Sequence, residues 1–318
     1  MKLVANLDCE ATWAGVTLPA AVRARVSLYA TLFAACAPDD GAHEVWVPAA
    51  IDAGRLIGHP GWTPPAVRVG APPDADLRWA APGARDANDR ARTLAMAEGL
   101  GAALPGARVV ASLEELDAHL ASRSGAWVCK ARWTAAGRDR AHGHGPRVEG
   151  ELRSRLRRMF ERLGPLVFEP WMDRRADFGT CGEIRAADGG YVVEVATPHT
   201  LRTDARGGFL GIELVPPEPD VARALRATAT KTGDKLGETG YRGPFAIDAF
   251  AYADPASSGA IAPRLHTLCE LNARFSFGWI ARGLARRLGV RRLGFDPAPP
   301  GAMVLIAPGV DRVTAWCE

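Results

Sequence analysis

The 318-residue sequence lacks the features that would place it in a membrane, secreted or zinc-binding class. No apolar run reaches membrane-spanning length, and the first residues, with acids already at positions 8 and 10, lack the apolar core of a signal peptide. The six cysteines are scattered, with no Cys-x-x-Cys pair and no histidine at a zinc-like spacing. We therefore expect a cytoplasmic protein with reduced thiols.

An excess of charge of one sign is also missing. Lys and Arg number 39 against 36 Asp and Glu, and the basic residues form no long run with interleaved aromatics. Nucleic-acid binding is therefore not expected. The apolar fraction of 47% is ordinary for a folded domain, and the length favours two or three lobes that share clefts.

Hydrophobic periodicity divides the chain into three predicted lobes, residues 1–85, 86–175 and 176–318. The first is an α/β lobe. It has strands at 3–7 and 44–48, a helix at 18–37, and loops with one short strand in the Pro- and Gly-rich stretch 58–82.

The second predicted lobe alternates helices and strands. Helices are predicted at 85–104, 112–121 and 151–163, strands at 108–110, 126–130 and 166–171, and a glycine-bearing loop at 133–145. The third lobe is predicted to be mainly antiparallel sheet. Its strands are predicted at 179–194 with a turn at 188–190, and at 207–214, 245–252, 266–271, 303–307 and 313–316; its helices at 221–237 and 279–288; and a surface hairpin loop at 255–263.

The most informative polar residues lie on two of these strands. Glu270, Asn272 and Arg274 are two residues apart, so they share one face of a strand. If Asp248 lies on a neighbouring antiparallel strand, two carboxylates and an amide oxygen converge, and these are ligands that magnesium accepts. Arg274 would then lie near a transferring phosphoryl group or a substrate carboxylate. The alternative is a polar edge with a weak Glu270–Arg274 surface pair.

A lysine closes the strand predicted at 126–130. Lys130 precedes the glycine-bearing loop, so its ammonium group can reach phosphates while loop N–H groups cover them. The loop has no Walker arrangement, and a solvated strand-end lysine is the alternative interpretation.

The strand predicted at 166–171 breaks at a proline. Backbone groups freed there can bond an adenine edge, Glu169 can accept from the exocyclic amine, and Trp171 or Met172 can cover a ring face. Asp173 or Asp177 can accept from ribose hydroxyls. A domain hinge with a core tryptophan is the alternative.

In this order, the segments resemble the ATP-grasp superfamily. Arg90 matches a first basic nucleotide contact and Lys130 a second, residues 169–172 resemble the adenine hinge, and Asp248 with Glu-x-Asn-x-Arg at 270–274 resembles the acidic metal motif. The resemblance implies an α/β chain of α+β lobes in the ATP-grasp fold, preceded by an N-terminal pre-ATP-grasp lobe. It also implies ATP between two lobes and two Mg²⁺ ions, with Mn²⁺ as an alternative metal.

The sequence departs from the family pattern at three places. An arginine stands at position 90 where lysine is more common, and Asp248 replaces a glutamate. The lid loop at 135–140 has little glycine, and Arg138 and Arg140 are expected to compensate as phosphate contacts.

The resemblance implies a ligase, most often forming carbon–nitrogen bonds, that activates a small carboxylate as an acyl phosphate for attack by an amine or other nucleophile. Asp248, Glu270 and Asn272 would hold the metal, and Lys130, Arg274 and Arg90 would neutralise the transferring phosphoryl group. A kinase-like phosphotransferase and a nucleotide-binding protein without turnover are the alternatives. Monomer and homodimer both remain open.

The acceptor site is open at this point. Candidate residues are His199, Arg202 and Arg185 on the central sheet, or Asp8 and Glu10 at the end of the first strand, where a carboxylate could face an ammonium group. Each of these also has a structural or surface interpretation.

Overall fold

The first sheet is parallel and four-stranded, with strand order β3-β2-β1-β4. The computed structural model describes residues 1–38, 41–134, 139–204, 207–253 and 263–318. The elements of the first sheet and its surroundings are β1 (Lys2–Val4), α1 (Cys9–Trp13), α2 (Ala20–Ala30), β2 (Glu44–Val47), β3 (Ala66–Val69) and β4 (Leu77–Arg78), with 3-10 helices at Thr31–Cys36, Ala53–Arg55, Pro82–Ala84 and Asp86–Asn88.

Two predictions for this region are corrected. The helix predicted at 18–37 is α2 followed by the separate 3-10 helix Thr31–Cys36. The stretch 58–82 contains two short strands rather than one, because β3 pairs with β2 and β4 pairs with β1. Pairing with a neighbour, which no local pattern reveals, decides both strands.

The second sheet is antiparallel, with strand order β5-β8-β6-β7. The elements around it are α3 (Arg90–Gly99), β5 (Arg108–Val110), α4 (Leu113–Leu120), β6 (Ala126–Ala131), β7 (Arg140–His144), α5 (Gly150–Leu163) and β8 (Leu166–Pro170). Part of the predicted loop 133–145 is therefore strand β7. Helix α3 begins later than predicted, because Asp89 caps it by accepting from the Ala91 N–H.

The third sheet is antiparallel and nine-stranded within the described residues, with order β14-β13-β9-β11-β12-β15-β17-β16 and β10 on β9. Its elements are β9 (Arg174–Ala187), β10 (Gly190–Val195), β11 (His199–Thr203), β12 (Phe209–Glu213), α6 (Pro219–Glu238), β13 (Gly243–Tyr252), β14 (Arg264–Asn272), α7 (Phe277–Leu288), β15 (Arg292–Gly294), β16 (Met303–Ile306) and β17 (Ala315–Cys317). The predicted hairpin at 188–190 and the closing strand pair are confirmed. Strands β11 and β15 were not predicted. Most of the loop predicted at 255–263 lies outside the described residues.

One hydrophobic core joins the two ends of the chain. It contains Leu3 and Val45 from the first sheet and Phe33 from the 3-10 helix Thr31–Cys36, together with Ile280 from α7 and Leu305 from the third sheet. Helix α7 lies directly on the 3-10 helix Thr31–Cys36. The first lobe therefore shares its core with the third. No helix in the described ranges has the length and apolar character needed to cross a membrane.

The close approach of α7 depends on Gly283. A methyl group there would overlap the carbonyl oxygen of Ala35, which belongs to rigid backbone. We expect Gly283→Ala to lower the free energy of unfolding by about 1–3 kcal/mol, measured by urea denaturation, as overpacked sites do. Gly99→Ala is the matched control, because its added methyl meets nothing within 4 Å. Equal stability of the two variants would contradict this packing.

Candidate active site

Strands β13 and β14 bring the predicted metal-binding residues together. Asp248 pairs directly with Glu270, so both side chains project from one face of the sheet. Asn272 pairs with Ala246 one pleat further along and shares that face. The three side chains lie on the face opposite Ile247 and Leu271, which pack into the core against α6. Two carboxylates and an amide oxygen therefore converge.

The charge of Glu270 affects the pKa of Asp248. Burial, and then the negative charge of Glu270, raise the pKa of Asp248 to about 7, while Arg274 opposes the shift. Within the described residues, no group of three or more His, Cys, Asp and Glu side chains converges. The candidate metal set is thus two carboxylates with the Asn272 amide, which suits a hard cation that retains waters and phosphate oxygens.

Arg90 links the second sheet to this carboxylate pair. Its Nη2 donates to Glu270 Oε1 at 2.7 Å and to the Thr134 carbonyl at 2.7 Å. Its Nη1 donates to the Ala131 carbonyl at 3.0 Å and to Thr134 Oγ1 at 2.9 Å. Arg90, the predicted nucleotide contact, therefore lies beside β14, and the end of β6 orients its guanidinium group.

Lys130, on β6, faces the hinge. Its Nζ lies 2.5 Å from Glu169 Oε2, and both side chains are mostly buried. Burial alone would disfavour both charges, but each group stabilises the other, so the pKa of Lys130 rises and that of Glu169 falls. Glu169, predicted to accept from an adenine amine, accepts from Lys130 in this structure.

The hinge residues open onto a cleft of about 760 Å³. Trp171 and Met172 line it, and the Trp171 N–H donates to the Ala126 carbonyl at 2.9 Å. Asp177 also lines it, accepting from Arg174 and from Thr203 Oγ1, each at 2.9 Å. Trp171 and Met172 therefore share one cleft with the predicted ribose residue Asp177, whereas Glu169 binds Lys130 and does not line that cleft.

Arg174 is a site residue that the sequence did not reveal. Its guanidinium lies 4.0 Å from the centre of the Phe250 ring and 5.4 Å from that of Trp171, between the hinge and β13. It pairs with Asp177, three residues further along β9. The available signal was an arginine just after the hinge, but only the strand pairing shows that it faces the cleft.

Arg274 is held by protein partners on every nitrogen. Its Nε donates to Glu10 Oε1 at 2.5 Å, its Nη2 to Asn272 Oδ1 at 2.8 Å, and its Nη1 to the Phe275 carbonyl at 2.9 Å. Glu10, one of the residues predicted to face a substrate ammonium group, binds the Arg274 guanidinium in the structure. Asp8 is the half-buried residue before α1.

The remaining acceptor candidates are dispersed. His199 is 2% exposed, and burial followed by the charge of Arg282 lowers its pKa to about 3, so it is neutral. Arg202 pairs with Asp296, and Arg185 forms exposed pairs on β9 and β10. The predicted phosphate contact Arg138 lies outside the described residues. Arg140, at the start of β7, uses its carbonyl to accept from Arg155.

The chain shares its fold with several solved enzyme structures. N5-carboxyaminoimidazole ribonucleotide synthetase from Thermus thermophilus matches with a TM-score of 0.58, over 99% of this chain and 92% of that chain, at 15% identity. Phosphoribosylamine–glycine ligase from Thermotoga maritima matches with a TM-score of 0.55, over 100% and 89%, at 13% identity.

A third structure is the biotin carboxylase domain of Hydrogenobacter thermophilus 2-oxoglutarate carboxylase, in complex with MgADP, ADP and bicarbonate. Its TM-score is 0.55, over 99% of this chain and 85% of that chain, at 13% identity. No protein-family model and no curated protein matches the sequence. These likenesses confirm the predicted ATP-grasp fold.

The buried Asp248 carboxyl makes stability depend on pH. Its pKa is raised from 3.8 to about 7 in the folded chain, so the folded state binds the extra proton and stability falls as pH rises through that window. In EDTA, we expect Asp248→Asn to be more stable than the wild type above pH 7 by at least about 1 kcal/mol, measured by urea denaturation.

The matched control is Asp220→Asn, because Asp220 is exposed on α6 and pairs only with Arg223 among the described residues. That variant should follow the wild-type pH dependence. If Asp248→Asn also followed it, the carboxyl would not be the buried, proton-binding group described above.

Proposed function

We propose that this chain is an ATP- and magnesium-dependent ligase that activates a carboxylate as an acyl phosphate for attack by an amine or other nucleophile. The observation that carries the proposal is the pairing of Asp248 with Glu270 on one sheet face, with Asn272 alongside. Arg90 binds Glu270 directly, and Lys130 binds Glu169 on the second sheet. The enzymes with the same fold are named as a synthetase, a ligase and a carboxylase.

The cleft beside the hinge suits a nucleotide. Its volume of about 760 Å³ lies within the usual range of about 300–1,000 Å³ for ligand pockets. Trp171 and Met172 offer ring and thioether faces to a base, and the strand ends at Pro170, leaving backbone groups for its edge. Asp177 is placed to accept from ribose hydroxyls. Arg174 adds a cation to the same cleft.

The carboxylate pair suits magnesium. The two partly buried carboxylates lie on adjacent strands, and partial burial together with the charge of Glu270 raises the pKa of Asp248. A divalent cation would lower the cost of charging both, and an oxygen-only ligand set is the one magnesium prefers. When bound, the metal would be held by Asp248, Glu270 and Asn272 and would neutralise phosphate charge.

The chain's own residues would then position the phosphoryl group. Lys130, held by Glu169, and Arg90, held by Glu270, would supply fixed positive charges to the phosphates. A carboxylate oxygen of the substrate attacks the γ-phosphorus, and ADP leaves. The amine then attacks the acyl carbon and phosphate departs. No protein nucleophile is needed, so catalysis rests on positioning and electrostatics.

The three lobes, at 1–85, 86–175 and 176–318, divide these tasks in our proposal. The second acts as the lid over the nucleotide and the third holds the metal. The first shapes the acceptor site. The three sheets follow the same order along the chain, which supports this division.

We expect Glu270→Gln to reduce turnover by roughly 10²-fold or more, because the metal site loses a charged ligand during phosphoryl transfer. The measurement is acceptor-dependent ADP release with magnesium, across a panel of amino acids and small acids. Glu194→Gln is the matched control, because Glu194 is exposed and pairs only with Arg185 among the described residues. Wild-type turnover in Glu270→Gln would exclude this metal site.

Product analysis decides between the proposed ligase and the two alternatives. A ligase releases phosphate in step with a new amide, ester or thioester. A stable phosphorylated product would instead show a kinase-like phosphotransferase. ATP binding with no ADP release for any acceptor would show a nucleotide-binding protein without turnover.

A further inference from the structure

A buried ion pair connects α1, in the first lobe, to the residues that follow β14. Glu10, on α1, and Arg274, two residues beyond β14, lie 264 positions apart in sequence. Their side chains are 6% and 11% exposed. Burial disfavours the charge on Glu10, but the charge of Arg274 and the hydrogen bonds from Cys9, Arg274 and the backbone together outweigh burial and lower the pKa of Glu10. A pair this enclosed holds both partners in one geometry, because separating them would leave a buried charge uncompensated.

Both oxygens of Glu10 are engaged. Oε1 accepts from Arg274, and Oε2 accepts from Cys9 Sγ at 3.1 Å. Because its side chain is only 6% exposed, the carboxylate is enclosed by these protein donors and is not open to a substrate ammonium group. Glu10 can therefore act on the site only through its contact with Arg274.

Arg274 in turn orients a predicted metal ligand. Its Nη2 donates to Asn272 Oδ1 at 2.8 Å. An amide oxygen has two lone pairs, so this bond fixes the rotation of the Asn272 amide while leaving one lone pair for a cation. The chain of contacts runs from Glu10 through Arg274 to the Asn272 oxygen.

The surrounding backbone is braced by neighbouring segments as well. The Phe275 N–H donates to the Trp79 carbonyl at 2.9 Å, and Asn88 Nδ2 donates to the Ala273 carbonyl at 3.2 Å. The Arg274 guanidinium also lies 5.6 Å from the centre of the Trp79 ring. Together with Glu10 on α1, Trp79 and Asn88 therefore hold the residues after β14 from three segments outside their own sheet.

We infer that Glu10 is a positioning residue: it holds Arg274, and through it the Asn272 amide, in the orientation that magnesium binding and phosphoryl transfer require. This role rests on the proposed function. It makes the first lobe part of the metal site's support, although it supplies no metal ligand.

The test is Glu10→Gln, which keeps the shape but removes the charge that fixes Arg274. We expect kcat to fall about 10-fold or more, as for outer-shell partners of metal ligands, with the KM for ATP unchanged because Glu10 does not line the hinge cleft. A second readout needs no turnover. The magnesium concentration that gives half of the Tm shift produced by ADP should rise about 10-fold.

Asp311→Asn is the matched control. Asp311 pairs with Arg55 and also joins the first lobe to the third, but the Arg55 guanidinium contacts only the Ala307 and Val313 carbonyls besides, among the described residues. We expect that variant to lower Tm without changing kcat or the magnesium midpoint. If Glu10→Gln behaves the same way, Glu10 is only structural and the inference is overturned.

Two further variants keep the outcome decisive. If Glu10→Gln does not fold, Glu10→Asp keeps the charge and moves the carboxylate by one methylene; lowered kcat at near wild-type Tm supports the role, and wild-type kcat overturns it. In an Arg274→Lys background, Glu10→Gln should cause little further loss, because both act on one contact. Wild-type chain without ATP-dependent turnover would overturn the proposed function instead, before any Glu10 variant is compared.

Discussion

Antiparallel pairing of β13 with β14 sets two carboxylates, Asp248 and Glu270, side by side on a largely buried sheet face. That placement is electrostatically unfavourable, as the raised pKa of Asp248 records. Much of the surrounding architecture supplies positive charge to this place: Arg90 from the second lobe, Arg274 from the strand end, and Arg174 from the hinge side. The sheet face that carries these two carboxylates depends on nearby cations for its stability. The same arrangement therefore matters for both the fold and the proposed function.

The cations are themselves held in ways that connect the sheets. Arg90 bonds simultaneously to the end of β6, at Ala131 and Thr134, and to Glu270 on β14. Lys130, by contrast, bonds within the second sheet, from β6 to Glu169 on β8. The position of the second sheet is therefore linked, through Arg90, to the Glu270 carboxylate on the third sheet. A group that competes for Glu270, such as a metal ion, would change what Arg90 binds.

The sequence predicted which polar side chains converge on β13 and β14 better than it predicted the residues that bind them. The period of two along 270–274 placed Glu270 and Asn272 on one face, and the strand pairing adds Asp248 as expected. It could not show that Glu10 would bind Arg274, because that contact joins positions 264 apart. Strands β7, β11 and β15 were missed because they are polar or short and exist through pairing with neighbours. Local pattern carries periodicity, whereas partner choice is decided in three dimensions.

The core shared by the two ends of the chain also bears on biosynthesis. Leu3 and Phe33 leave the ribosome long before Ile280 and Leu305, with which they pack. The first sheet therefore stays incompletely covered until those later residues have been made, with apolar surface available to chaperones or to aggregation. The first lobe, made before the other two, must wait for the third lobe to complete its core.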